Sequence, residues 1–154
     1  MIGNDIVDLI QASEDSNWKR PGYLEKLFTS EEQFLISSDI QPDNLVWLLW
    51  SMKESAYKIS SRKSKLREFA PVKLICNNLI IHDNTATGNV TYNGQLYFTS
   101  SIIDKSYIHT IAAVSQEDFA SIKVEIIETK DHQIRINNPD CVSHHGSFLA
   151  LVYA

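Results

Sequence analysis

Two acidic side chains in the first third of the chain stand in settings that suit metal binding. Asp5 lies inside the apolar run of residues 2–9, and Glu54 lies between Lys53 and Lys58 in a segment with helical spacing. Carboxylate oxygens are ligands that Mg²⁺ prefers, and lysine ammonium groups bind phosphates. Two carboxylates with neighbouring lysines would therefore suit the transfer of a phosphate-linked group.

The C-terminal segment holds a second set of polar candidates. Residues 141–147 read Cys-Val-Ser-His-His-Gly-Ser and precede an apolar run that ends at Tyr153. Taken by itself, this segment could be a metal site, a phosphate contact or a turn. Histidine pairs are more often structural or exposed than ligands, so the residues alone leave all three alternatives open.

A long amphipathic helix would position Glu54. It is predicted from Pro42 to about Arg62, because apolar residues recur there with helical spacing. The members of this stripe are Leu45, Leu48, Leu49, Met52, Ala56 and Ile59. Glu54 falls opposite the centre of the stripe, flanked by three large aromatic residues, Trp47, Trp50 and Tyr57. Such residues rarely line a fully solvated face, so we expect this side to be covered and Glu54 to have a partner.

The remaining elements predict an α+β fold. Residues 2–9 suit a strand, and Thr29 with Glu32 predicts a capping box at the start of a helix. After Pro71, β-branched and aromatic residues predominate, and Asn93-Gly94 is typical of a tight hairpin. Strands are predicted over 72–81, 88–92, 95–103, 107–114, 122–128 and 148–153. We expect one domain, residues 1–154, with a mostly antiparallel β-sheet packed on one long helix plus shorter helices.

Composition excludes several classes of protein. Fourteen basic and 19 acidic residues give a net charge of −5, so nucleic acid is an unlikely partner unless positive charge is clustered. Two cysteines make neither a disulfide framework nor a zinc site. The chain begins without a basic and apolar signal segment, and no apolar run reaches the roughly 20 residues of a membrane span. We therefore expect a cytoplasmic protein that does not bind membranes.

Several motifs resemble those of the 4'-phosphopantetheinyl transferases. Residues 50–58 match the family's Trp/Phe-Ser/Ala-x-Lys-Glu-Ala/Ser-x-x-Lys helix at every specified position, and Gly3 and Asp5 match its earlier Gly-x-Asp strand. Residues 23–32 are similar to its Thr-x-x-Glu stretch. Residues 142–148 follow the pattern with which short acyl carrier protein synthases end, with Val, Ser, His and then Phe at matching positions.

The resemblance implies a reaction and a set of roles. Coenzyme A would donate its phosphopantetheine arm to a serine of an apo acyl or peptidyl carrier protein, leaving 3',5'-ADP. Asp5 and Glu54 would hold Mg²⁺, and Glu54 and Lys58 would be catalytic, with Lys58 stabilising charge on the leaving phosphate. The base would be either Glu54 or a metal-bound water. Asp8 is a candidate third acidic group, although strand alternation would point it away from the face that carries Asp5.

The resemblance also implies a binding site for coenzyme A and an acidic carrier protein. The candidates for binding coenzyme A are Lys53, Arg62, Lys63, Lys65, Ser143 and His144. At the nucleotide end, His144 would contact the 3'-phosphate, with Arg62, Lys63 or Lys65 as co-donors. Because the carrier and this chain are both acidic, a local basic patch must form the contact. Its candidates are Lys19, Arg20 and Lys26, together with the basic residues of 62–65, and apolar residues such as Leu27 and Phe28 could lie between them. Short synthases commonly form trimers, so we expect a homo-oligomer.

Some features depart from the family pattern. The family's Gly-Lys-Pro turn is absent, with Asn93-Gly94-Gln95 in a comparable hairpin, and about 30 residues from Ser101 onward have no counterpart in the short synthases. One alternative is therefore a non-catalytic relative that only binds coenzyme A or a carrier protein. Another is a different Mg²⁺-dependent phosphotransferase, although the chain lacks a Gly-rich phosphate loop.

Overall fold

The predicted α+β fold is confirmed by the computed structural model, which describes residues 1–130 and 137–154. The described strands are β1 (Ile2–Asp8), β2 (Ile75–His82), β3 (Thr85–Tyr92), β4 (Gln95–Ile103), β5 (Tyr107–Ala113), β6 (Lys123–Glu128), β7 (Cys141–His145) and β8 (Phe148–Tyr153). The helices are α1 (Leu9–Asp15), α2 (Tyr23–Leu27), α3 (Ser30–Ser38) and α4 (Pro42–Ser64). Short 3₁₀ turns lie at Pro71–Lys73 and Gln116–Ser121.

The strands form two antiparallel sheets. The larger sheet has five strands in the order β1-β5-β4-β3-β2, and the smaller has three in the order β6-β8-β7. Helix α4 packs across β1 and β5, and β7 packs along the outer edge of β1. The strand that carries Asp5 therefore lies between the long helix and the C-terminal sheet. Within the described ranges, no helix is both long and apolar enough to cross a bilayer.

The apolar stripe of α4 forms the centre of the core. All six predicted stripe residues are buried, and four of them, Leu48, Leu49, Ala56 and Ile59, have no exposed surface. Helical spacing predicted this face because it depends only on neighbouring turns of one helix. The predicted hairpin is also present, since Asn93 and Gly94 link β3 to β4 with φ values of 49° and 73°.

A glycine sets how closely β1 approaches α4. A Cβ on Gly3 would lie 2.2 Å from the backbone oxygen of Ser55, so any other residue would push the strand away from the helix. One turn earlier on α4, the hydroxyl of Ser51 donates to the backbone oxygen of Asp5 at 3.3 Å. These two contacts hold the Asp5 strand against the part of α4 that carries Glu54.

Several boundaries differ from the sequence-based prediction, since β3 begins three residues early, at Thr85, and β7 was not predicted. The first strand ends at Asp8, and the following helix α1 was not anticipated. Asp8 caps that helix, which explains why an apolar run that reads as one strand changes to helix at this point. The strand predicted from residue 72 begins at Ile75, because Pro71 starts a 3₁₀ turn.

Candidate active site

A pocket of about 440 Å³ brings together residues from β1, α1, α2, α4 and β7. Asp5, Glu54 and His144, three of the residues predicted from sequence to bind metal or coenzyme A, line this pocket. The other lining residues include Asp15, Tyr23, Trp47, Trp50 and His145. A metal or phosphate in this pocket would therefore be in reach of both carboxylates.

Asp5 has one carboxylate oxygen paired and one without a partner. Its Oδ1 accepts from Lys58 Nζ at 3.0 Å, whereas its Oδ2 is buried and has no hydrogen-bond partner among the described residues. Burial raises the pKa of Asp5, and the neighbouring Lys58 ammonium opposes that rise. A buried carboxylate oxygen without a partner is costly unless another group supplies positive charge.

Glu54 faces the same pocket in a half-buried position. Burial and the negative charge of Asp5 raise the pKa of Glu54 to about 7, although Lys58 opposes the shift. Its carboxylate makes no hydrogen bond to any residue within the described ranges. The negative charge of Asp5 disfavours the ionised form of Glu54, and a bound cation would offset this repulsion.

The aromatic residues beside Glu54 on α4 are covered by other residues, as the sequence analysis expected. Trp47 is buried, and Phe69, from the segment after α4, packs against the other two aromatic rings. Its ring centroid lies 5.5 Å from that of Trp50 and 4.8 Å from that of Tyr57. Trp47 and Trp50 also line the pocket, so part of the wall beside Glu54 is aromatic.

Lys58 is tied to both β1 and β7. Its Nζ donates to the backbone oxygen of Asn4 at 2.8 Å, to Asp5 Oδ1 at 3.0 Å and to Ser143 Oγ at 3.3 Å. Because an ammonium has three N–H groups, it contacts a phosphate only by exchanging one of these partners. Ser143, predicted to bind coenzyme A, is buried and also accepts from the backbone N–H of Ile6 at 3.0 Å.

Lys53 lies in the core, which differs from the expectation that it binds coenzyme A. The side chain is fully buried and forms an ion pair with Glu32 Oε1 at 2.7 Å. Its Nζ also donates to the backbone oxygens of Leu27 at 2.8 Å and Pro71 at 3.0 Å. All three N–H groups are therefore used inside the protein, and none is left for a phosphate.

The basic residues at the end of α4 also lie away from the pocket. Arg62 Nη1 donates to the backbone oxygen of Ile2 at 2.9 Å and borders a different cavity beside the two chain ends. Lys63 and Lys65 are exposed, and neither lines the pocket that holds Asp5. The structure therefore does not bring these three residues together with the two carboxylates.

Asp8 stabilises local structure and does not line the pocket that holds Asp5 and Glu54. Its Oδ1 accepts from the backbone N–H groups of Ile10 and Gln11, and its Oδ2 accepts from that of Ser147 at 2.8 Å. Burial raises the pKa of Asp8, but these hydrogen bonds prevail and lower it. Asp8 therefore joins the start of α1 to the turn after β7.

His145, like Asp15 and Tyr23, lines the pocket although the sequence analysis gave it no role of its own. It lines the pocket beside His144, and its Nδ1 accepts from the backbone N–H of Asp8 at 2.9 Å. The following Gly146 marks a tight turn, and this was the one signal in the sequence that the neighbouring side chain is held in place. His144 is exposed and also reaches the pocket.

The donor set fits a magnesium site shared with a substrate. Within residues 1–130 and 137–154, no group of three or more His, Cys, Asp or Glu side chains could hold a metal by itself. Mg²⁺ is typically bound by one or two carboxylates, with substrate phosphates and water filling the other positions. The unpartnered Oδ2 of Asp5 and the carboxylate of Glu54 match that description.

Comparison with known families decides which class of protein carries this pocket. A sequence model of the 4'-phosphopantetheinyl transferase superfamily matches residues 1–112, which include Asp5, Glu54 and Lys58. The chain belongs to this superfamily. Membership supports transfer of phosphopantetheine in general, with coenzyme A as donor and carrier proteins as acceptors. A search of curated proteins finds no match.

The superfamily match ends before the C-terminal sheet. Strands β6, β7 and β8 lie outside residues 1–112, and so do Ser143, His144 and His145. The roles of these side chains must therefore be argued from their own contacts.

Proposed function

We propose that the chain is a single domain that transfers 4'-phosphopantetheine from coenzyme A to a serine of an apo acyl or peptidyl carrier protein. The reaction would depend on Mg²⁺ and release 3',5'-ADP. The observation that carries the proposal is the pocket shared by Asp5 and Glu54, in which Asp5 Oδ2 is buried without a partner among the described residues and the charge of Asp5 acts on Glu54. Both residues lie in the region that the superfamily matches.

Asp5 and Glu54 would hold the metal. A magnesium ion bound there would neutralise charge on the pyrophosphate of coenzyme A and orient it for attack. Asp5 is held for this role by α4, because Ser51 fixes its backbone and Lys58 fixes its Oδ1. Only Oδ2 then remains without a protein partner, which leaves it available as a ligand.

Lys58 would stabilise the negative charge that develops on the leaving phosphate. Its ammonium lies 3.0 Å from Asp5 Oδ1 and is only partly exposed, so its charge acts in a medium less polar than water. The bonds from Lys58 to Asn4 and Ser143 hold it in place before a substrate arrives. A positive charge fixed in advance needs little rearrangement to act on the phosphate, whereas a direct hydrogen bond would require Lys58 to exchange one of these partners.

Glu54 would accept the proton of the attacking serine. Without a cation, burial and the charge of Asp5 raise the pKa of Glu54 to about 7, and Mg²⁺ bound by the same carboxylate would lower that pKa. The proposed base role therefore rests on the position of Glu54 in the pocket beside Asp5.

The carrier protein would approach over α2. A cavity of about 480 Å³ shares Tyr23 and Trp50 with the active-site pocket and is bordered by Arg20 and Lys26. These cations lie next to the pocket although the whole chain is acidic, and an acidic carrier would be attracted there. Phe28, expected on the same surface, is instead buried in the core and takes no part.

Mass spectrometry of an apo carrier protein tests the proposal. Incubation with the chain, coenzyme A and Mg²⁺ should add one phosphopantetheine group to the carrier, and EDTA or omission of coenzyme A should abolish the gain. Tests with one acyl and one peptidyl carrier would separate the two substrate classes.

Two outcomes of the same assay favour the alternative functions. Coenzyme A that binds but transfers to neither carrier would favour a non-catalytic binding module. Cleavage of coenzyme A without any carrier would favour a different phosphotransferase or a pyrophosphate hydrolase.

A further inference from the structure

The hydrogen bond of His145 to Asp8 fixes where the imidazole proton lies. The backbone N–H of Asp8 donates to His145 Nδ1 at 2.9 Å. A nitrogen that accepts an N–H must carry a lone pair, so the single proton of the neutral ring lies on Nε2. Within the described residues, Nε2 makes no hydrogen bond, while the ring borders the active-site pocket. His145 therefore carries, on a ring that lines the pocket, an N–H group without a partner among the described residues.

The turn after β7 fixes the direction of the ring. Asp8 contacts this turn twice, because its N–H donates to His145 and its Oδ2 accepts from Ser147 N at 2.8 Å. Between them, Gly146 has a φ of +54°, and a Cβ at this position would lie 2.4 Å from Asp8 Oδ2. The turn is therefore in direct contact with Asp8, and rotating the imidazole would break a hydrogen bond.

The pocket needs such a donor, because its wall carries negative charge. Asp5, Asp15 and Glu54 line it, whereas no lysine or arginine among the described residues does so. The two lysines that flank Glu54 on α4, Lys53 and Lys58, have all their N–H groups bonded to protein acceptors. A diphosphate entering this pocket needs N–H donors from the protein in addition to any metal.

We infer that His145 Nε2–H donates a hydrogen bond to a non-bridging oxygen of the coenzyme A pyrophosphate. This role rests on the proposed function and adds a specific contact to it. His145 is better prepared for the contact than His144, because no hydrogen bond within the described ranges fixes the tautomer of His144. The ligand group is the diphosphate, which is distinct from the 3'-phosphate assigned to His144.

Two substitutions of His145 test the roles of its two ring nitrogens separately. His145→Asn keeps an acceptor near the position of Nδ1, so the bond from Asp8 N–H can persist, but it removes the pocket-facing donor. His145→Gln keeps an N–H donor near the position of Nε2 and gives up the acceptor for Asp8. His82→Asn is the matched control, because His82 is exposed on β2, outside the pocket.

The affinity for dephospho-coenzyme A, measured by calorimetry in the presence of Mg²⁺, tests the proposed hydrogen bond from His145 to the diphosphate. This ligand keeps the diphosphate and lacks the 3'-phosphate. His145→Asn should weaken its binding about ten- to a hundred-fold, with a melting temperature close to that of the wild type. His145→Gln should bind more tightly than His145→Asn even if it melts earlier. The His82→Asn control should bind as the wild type does.

Equal affinity of His145→Asn and the wild type for dephospho-coenzyme A would overturn the inference. It would show that His145 only stabilises the turn. Tighter binding by His145→Asn than by His145→Gln, with both folded, would do the same. If the wild type binds no coenzyme A at all, the proposed function fails instead. NMR of the wild type gives an independent readout: the Nε2–H signal of His145 should shift on titration with inorganic pyrophosphate, and an unchanged signal would contradict the contact.

Discussion

Burial and a neighbouring carboxylate determine the protonation of Glu54. Its carboxylate is half-buried, lies near the Asp5 charge and has a pKa raised to about 7 by burial and by that charge. Without a cation, the folded protein therefore holds a proton on Glu54 at pH values where an unfolded chain has already lost it. The protonation state of the pocket should respond strongly to a bound metal.

The first prediction concerns stability against pH in EDTA. Because the folded pKa of Glu54 is raised above 4.5, its contribution to stability is fully present below pH 4.5 and lost as pH rises through about 7. Relative to Glu54→Gln, the wild type should lose roughly 1–3 kcal/mol of unfolding free energy between about pH 5 and pH 8. Urea unfolding at each pH measures this difference, and Mg²⁺ should reduce it. Parallel curves for the two proteins would contradict the raised pKa.

The second prediction concerns His144 and the 3'-phosphate of coenzyme A. His144 is exposed at the rim of the pocket, where a charge-assisted hydrogen bond to a phosphate can form. His144→Ala should raise the KM for coenzyme A about ten- to a hundred-fold and affect the KM for dephospho-coenzyme A much less. Equal losses with both donors would show that His144 does not recognise the 3'-phosphate.

At the scale of elements, the free edge of β1 is satisfied by side chains instead of another strand. Its outward backbone groups pair with residues of α4 and β7, each within about 3 Å. The pairs are Ile2 with Arg62, Asn4 with Lys58, Ile6 with Ser143, and Asp8 with His145. Arg62, Lys58 and Ser143, which the sequence analysis predicted to act on the substrate, therefore also hold the strand that carries Asp5.

Local patterns explain which parts of the fold and site could be predicted. The apolar stripe of α4, the capping box at Thr29 and the Asn93-Gly94 hairpin depend on neighbouring residues, and all are present. The burial of Lys53 depends instead on Glu32 and on two backbone oxygens from other elements. The contact of His145 with Asp8 spans 137 residues, so no local pattern could indicate it.

The third prediction assigns Lys53 to stability. Lys53→Met leaves Glu32 buried without its counterion and should cost roughly 3–5 kcal/mol of unfolding free energy in urea. Adding Glu32→Gln should recover part of that loss, because the uncompensated charge is removed. Lys63→Met, on an exposed turn of the same helix, is the control and should change stability by less than about 0.5 kcal/mol. If Lys53→Met instead weakened only the binding of coenzyme A, the residue would be a ligand.

At the scale of the whole molecule, charge is arranged unevenly. The chain has a net charge of −5 and acidic pocket walls, yet Arg20 and Lys26 border the adjoining cavity. This arrangement would direct an acidic partner to one entrance and leave the diphosphate to the metal and to N–H donors. The expected homo-oligomer stays a prediction, since its evidence is the resemblance alone.

Rates of carrier modification in carboxylate variants test the central claim most directly. Intact-mass spectrometry should follow phosphopantetheine transfer by the wild type, Asp5→Asn, Glu54→Gln and the control Glu125→Gln, whose carboxylate is exposed on β6. We predict that the wild type and the control modify the carrier at similar rates. Asp5→Asn and Glu54→Gln, both folded, should be at least about 100-fold slower. Transfer by Glu54→Gln or Asp5→Asn at the wild-type rate would contradict the account.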